Sequence, residues 1–82
     1  MTWESIHKFE KIDEILTGAL FHHTFSLDSF QHFYENEDGI TIEYDCKDDY
    51  FCIKYNEKEE IHQGDDLNGF TISQALLNFG VK

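Results

Sequence analysis

Hydrophobic positions change their spacing twice along this chain. Near its start Trp3, Ile6, Phe9, Ile12, Ile15, Leu16 and Leu20 recur at three- and four-residue steps, with Glu4, Lys8, Lys11 and Glu14 pointing elsewhere, which predicts an amphipathic helix over residues 2–17. Thr2 can cap its start and Gly18 can end it. From Ala19 the period becomes two: Ala19, Phe21, His23, Phe25 and Leu27 fall on one side, and His22, Thr24, Ser26 and Asp28 on the other, the alternation of a strand. Residues 27–34 also read as a short helix capped by Ser26, with Leu27, Phe30 and Tyr34 on one face.

The following turn decides for a strand over residues 30–35. "NEDG" over residues 36–39 suits a three-residue hairpin loop closed by glycine in the left-handed conformation. It pairs Asn36 with Ile40, Tyr34 with Ile42, His32 with Tyr44 and Phe30 with Cys46, so every apolar residue of the second strand meets an apolar or aromatic partner. A slip of one residue would destroy that match. For the next hairpin, a tip at Asp48 and Asp49 sets Cys46 opposite Phe51, Tyr44 opposite Ile53, Ile42 opposite Tyr55, and Glu43 opposite Lys54. A four-residue loop over residues 47–50 is equally compatible. A further turn over residues 56–58 leads to a short strand over residues 59–63, with Ile61 inward opposite Ile53 and His62 opposite Cys52.

After the polar loop "GDDLNG", Thr71 and Gln74 match a capping box with Thr71 as N-cap. Ile72, Ala75, Leu76 and Phe79 form the apolar stripe of a second helix that Gly80 ends. The expected fold is α+β: an N-terminal helix, an antiparallel meander of four or five strands and a C-terminal helix. Because only one sheet face is apolar, both helices are expected on that face, leaving the other in water. Length reinforces this picture, since 82 residues suffice for a single compact domain over residues 1–82 and not for two.

Charge then narrows the range of functions. Seventeen acids face six lysines, with no arginine, for a formal net charge of −11. Residues 35–66 alone carry a net of −9. Nucleic acids and anionic membranes are poor partners for such a chain, because binding a polyanion requires cations that displace its counterions. No apolar run approaches the ~20 residues that cross a bilayer, no basic segment followed by an apolar block resembles a secretory signal, and a cytoplasmic location is expected. Cys46 and Cys52 have neither a zinc-ligand nor a redox spacing and are read as free thiols. His22 and His23 point to opposite sides of a strand and cannot share a metal. "DCKDD" lacks the central glycine and final glutamate of a calcium loop. No cofactor or metal is expected.

The candidate chemistry lies on the uncovered face, assigned Gln31, Phe33, Glu35, Thr41, Glu43, Asp45, Cys52, Lys54, Glu60 and His62. A bare sheet face needs polar residues, and the bland account is a solvated surface kept soluble by charge. Like charges on neighbouring strands cost stability, however, and a negative field with an aromatic anchor is what a basic protein partner requires. The residues expected to contact such a partner are Phe33, Glu35, Glu43, Asp45, Asp48, Asp49, Tyr50, Glu57, Glu59 and Glu60. The expectation is a non-enzymatic acidic inhibitor, comparable in size and charge to immunity-type proteins and nucleic-acid mimics, that covers the cationic surface of a nuclease or nucleic-acid-binding enzyme. Two alternatives remain: an assembly module that self-associates through a sheet edge or helix face, and an enzyme using a cross-strand row of Asp45, Cys52 and His62.

Overall fold

The computed structural model describes residues 3–26, 31–45 and 47–81, with side chains from His7 onward. Thr2 as a cap, the pairing of Phe30 with Cys46, and the side chains of Trp3 and Ile6 lie outside the described residues. The elements run α1 (Trp3–Gly18), β1 (His22–Ser26), β2 (Gln31–Glu35), β3 (Thr41–Asp45), β4 (Tyr50–Tyr55), β5 (Lys58–Gln63), a 3-10 turn (Gly64–Asp66) and α2 (Gly69–Asn78). The five strands form one antiparallel meander in the order β1-β2-β3-β4-β5.

Both helices lie on one face of this sheet. Ile12 and Leu16 of α1, Ile72, Ala75 and Leu76 of α2 and Phe79 at the C-cap of α2 share a single core with Tyr34, Ile42, Tyr44, Phe51 and Ile53, the last five all directed by alternation to the same side of the sheet. Over β1 and β2 this helix side is more polar. Phe9 stacks on His32 at 4.2 Å, one nitrogen of His32 lies 2.7 Å from His23, and the Tyr34 hydroxyl donates to Asp13 at 2.8 Å. Burial and the neighbouring His23 hold the His32 imidazole below its ordinary value, with Asp13 and Asp45 pulling the other way. The two rings are each other's hydrogen-bonding partner.

The ends of the helices differ from the sequence reading. α1 ends at Gly18 as expected, but Gly18 is not its left-handed residue; that position belongs to Leu20 (φ 68°). Phe21 then donates back to the Leu16 carbonyl and Leu20 to Thr17, both at 3.1 Å, closing the helix and turning Phe21 into the core. The cap of α2 lies three residues earlier than Thr71. The Asn68 side chain accepts from the Thr71 amide while the Thr71 hydroxyl accepts from the Asn68 amide, each at 3.0 Å, so Thr71 is the third helical residue of the box rather than its cap. Gly80 ends this helix as expected, at φ 80°.

Register separates the three predicted hairpins. The β2–β3 pairing is the expected one, with Tyr34 opposite Ile42 and His32 opposite Tyr44. Asn36 organises its turn by accepting from Asp38 and Ile40, and Gly39 adopts φ 87°. Between β3 and β4 the register is displaced by two residues, so that Tyr44 faces Phe51 and Ile42 faces Ile53; an even displacement leaves every side chain on its predicted face. Between β4 and β5 the displacement is odd. Tyr55 pairs with Lys58 across a two-residue turn, placing Phe51 opposite His62 and Cys52 opposite Ile61. Ile61 therefore faces out, and Glu60 and His62 face the helix side.

Candidate interaction face

The uncovered side of the sheet is an ordered grid. Antiparallel pairing sets directly opposed residues on the same face, and the four registers connect into three rows across all five strands. The central row reads Thr24, Phe33, Glu43, Cys52, Ile61. It is flanked on one side by His22, Glu35, Thr41, Lys54 and Glu59, and on the other by Ser26, Gln31, Asp45, Tyr50 and Gln63.

The central row carries three apolar side chains, Phe33, Cys52 and Ile61, with the Glu43 carboxylate between Phe33 and Cys52. Cys52 is only 1% exposed and Ile61 is 45% exposed, while Phe33 and Tyr50 are half-buried. Tyr50 stands two residues before Cys52 on β4 and shares this face with it. Burial pushes the Cys52 thiol up, the neighbouring Tyr50 phenol opposes this, and Glu59 adds to it; partial burial, Cys52, Glu59 and Glu43 push the Tyr50 phenol up as well. Such a thiol is a poor nucleophile at neutral pH.

The face carries four carboxylates, Glu43 within the central row and Glu35, Asp45 and Glu59 in the flanking rows, against the single ammonium of Lys54. Lys54 lies 3.8 Å from Glu59. Asp45 accepts from the amides of Lys47 and Asp48 and so also shapes the β3–β4 loop. A shallow depression of about 650 Å³ lies beside Phe33, bordered by His22, Thr24, Glu35, Thr41 and Glu43. With an aromatic floor and carboxylate walls, it is chemically suited to a cationic side chain.

Of the residues expected to contact a partner, six are brought together here: Phe33, Glu35, Glu43, Asp45, Tyr50 and Glu59. The other four lie elsewhere. Asp48 and Asp49 occupy the β3–β4 loop, where Asp49 pairs with Lys8 of α1 at 3.2 Å. Glu57 is at the tip of the β4–β5 turn, at the opposite end of the sheet. Glu60 is on the helix side, accepting from His62 at 2.7 Å and from Asn78 at 3.2 Å. The expectation that the acids gather on the open side thus holds for part of them; turns at both ends of the sheet carry several of the rest, because loop positions are where charge is most easily solvated.

The row of Asp45, Cys52 and His62 does not form. Cys52 has Glu43 and Ile61 as its neighbours, and His62, expected to be exposed, is half-buried on the opposite side of the sheet between two carboxylates. Its second nitrogen lies 2.6 Å from Asp66. Burial alone would lower the His62 imidazole, but the bonds to Glu60 and Asp66 outweigh it and raise it. The odd register turns Glu59, Ile61 and Gln63 to the open face, and Ile61 is the apolar one that pattern reading had placed inward. The signal was the turn: a two-residue "NE" connection, with Asn56 in the left-handed region (φ 56°), is the commoner hairpin geometry.

Among the described residues, no cluster of histidine, cysteine and acidic side chains could hold a metal ion, and no helix is long and apolar enough to cross a membrane. The chain matches no family model, no curated protein and no solved structure.

Proposed function

We propose that the chain is a binding protein whose bare sheet face docks on the cationic surface of another protein, of the kind a nuclease presents to nucleic acid, and blocks it. The observation that supports this reading is the composition of the grid. Phe33, Cys52 and Ile61 share one row, interrupted by the Glu43 carboxylate between Phe33 and Cys52, with Tyr50, Glu35, Asp45 and Glu59 in the two flanking rows. A hot spot needs a desolvated aromatic or aliphatic anchor, and a ring of charge excludes water and steers approach. A face serving solubility alone has no need of a half-buried phenylalanine and an exposed isoleucine in the same row. Immunity-type inhibition and imitation of nucleic acid are the two forms this activity could take. Both rest on the same physical match, since a protein that holds a polyanion must present a cationic groove.

The test is calorimetric titration of the full chain against a panel of cationic nucleases, with neutral proteins of similar size as controls. Binding to a cationic nuclease should weaken by about tenfold or more as salt rises from about 50 to 300 mM. Glu43→Lys combined with Glu59→Lys should weaken it by a similar factor, and Phe33→Ala by about tenfold. Binding that ignores all three changes, or no salt-sensitive binding to any nuclease in the panel, would overturn the proposal.

A further inference from the structure

Among the described residues, each of the three inner strands carries a buried side chain and neither edge strand does. An edge strand has a neighbour on one side only and is where a sheet opens first. β1 and β5 are therefore joined to the helix layer by something other than a buried hydrophobe, and on each the link is a histidine. On β1 the side chains that face the helices are His23 and Phe25, opposite Tyr34 and His32. Both meet His32: the Phe25 ring centre lies 4.7 Å from its own, and Nε2 of His23 lies 2.7 Å from its Nδ1. Those two nitrogens can share one proton. With a proton on each, two N–H groups and two positive charges face one another at that distance. Asp13 of α1 and Asp45 of β3 draw protons toward His32, but Asp13 also accepts from the Tyr34 hydroxyl and stands 3.9 Å from the other nitrogen of His23.

On β5 the requirement is reversed. His62 meets Asp66 of the 3-10 turn at 2.6 Å and Glu60 at 2.7 Å, and Glu60 accepts in turn from Asn78 of α2. Both ring nitrogens are donors only in the imidazolium; the neutral ring turns a lone pair on one of the two carboxylates. Lys58 favours the charged Glu60, and Lys8 of α1 donates to the Gly64 carbonyl at the start of the same turn. Those ammonium groups keep their charge through neutral pH, so His62 is the group that changes.

We propose that the two histidine clusters are opposed pH latches: acid releases β1 from the helix layer and base releases β5, so that the sheet keeps its full five-strand width only around neutral pH. Burial and then His23 hold His32 below its ordinary value, so the β1 contact is complete above about pH 6.5 and is lost as pH falls through the folded value. Burial would lower His62, but its bonds to Glu60 and Asp66 raise it, so the β5 contact is complete below about pH 6.5 and is lost as pH rises through the folded value. Opening either edge removes one end of every row on the open face. The latches operate whether or not that face docks on a partner.

Amide hydrogen exchange of the full chain, read residue by residue by NMR at about pH 5, 7 and 8.5 and expressed as protection relative to intrinsic rates, tests this. From about pH 7 to 5, protection in β1 should fall about fivefold more than in β3; from about pH 7 to 8.5, protection in β5 should fall by a similar margin. His32→Phe keeps a ring between Phe9 and Phe25 that cannot be charged, and should remove the acid response of β1. His23→Gln, at an exposed position, removes the second positive charge and should weaken the same response, so the β1 latch can be tested even if His32→Phe does not fold. His62→Gln should remove the alkaline response of β5 alone. Protection that changes equally in β1, β3 and β5, two edges that respond in the same direction, or responses that survive these substitutions would rule the latches out.

Discussion

On β4, Phe51 and Ile53 turn toward the helices and have no exposed surface, and Cys52 between them turns the other way and is 1% exposed. The two kinds of burial have different origins. Phe51 and Ile53 are enclosed by a second layer, within one core that both helices share. Cys52 is enclosed by its neighbours in the plane of the sheet: it is the small residue among larger ones, with Glu43 and Ile61 opposite it and Tyr50 on the same face of its own strand. Removing a side chain from the first environment leaves a hole. Removing one from around the second only lets water closer.

The largest test of that contrast pairs Phe51→Ala with Ile61→Ala. Deleting a fully buried phenylalanine costs the transfer energy of the ring and the cavity it leaves, about 3–5 kcal/mol, whereas Ile61, at 45% exposed, should cost about 1 kcal/mol or less. Urea unfolding of both variants measures the difference; comparable losses would mean that the open face is as tightly packed as the core.

A smaller effect arises where the helix layer ends. His62 sits between Glu60 and Asp66, with its imidazole raised. A raised histidine stabilises the fold fully below its unfolded value of about 6.5 and loses that contribution as pH climbs through the folded value. His62→Gln should therefore cost about 1 kcal/mol at pH 6, after allowing for partial solvent screening, and much less at pH 9. His32 has the opposite sign. Its lowered imidazole withdraws stability as pH falls below the ordinary histidine range, and thermal melts of His32→Gln against pH should show the loss relieved on the acid side.

The smallest effect concerns how the helix layer is attached. Leu20 is held at φ 68° and is 80% exposed, so it bears the left-handed penalty without burying its side chain. Leu20→Gly should stabilise by about 0.5–1 kcal/mol after glycine's larger unfolded-state entropy is subtracted, raising Tm by about 3–6 °C. A fall in Tm would show that Leu20 makes a contact worth more than its strain.

Much of this architecture was legible from alternation and turn chemistry, and the exceptions share a cause. The β2–β3 register could be read because Asn36 and Gly39 specify the turn and both strands carry apolar residues on matching positions. The β3–β4 register could be read only to within two residues, because its loop has no such signal and an even displacement preserves the hydrophobic match. The β4–β5 register failed because "KEEIHQ" has a single apolar residue, Ile61, and the natural assumption that it points inward was wrong. A lone hydrophobic residue specifies a face weakly, and the side chains that actually face the helices there, Glu60 and His62, are stabilised by each other. The candidate site inherited this pattern: its members on β2, β3 and β4 were found, while Glu60 was placed on the wrong face and Ile61 was overlooked. Leu20 was missed for a different reason, since glycine is the usual residue at a left-handed helix end and Gly18 stood two positions away.

Every strand of the meander lies beside its neighbours in the chain. Assembly of the sheet can therefore proceed by successive zipping of adjacent segments, each closing a loop of only a few residues at small entropic cost. The docking of the first helix beside the last is the one step that must unite the two ends of the polypeptide. Mixed helix–sheet chains with such local wiring fold faster than β domains of non-local topology, which shortens the time in which the bare ribbon can meet another unfinished copy before its apolar side is roofed.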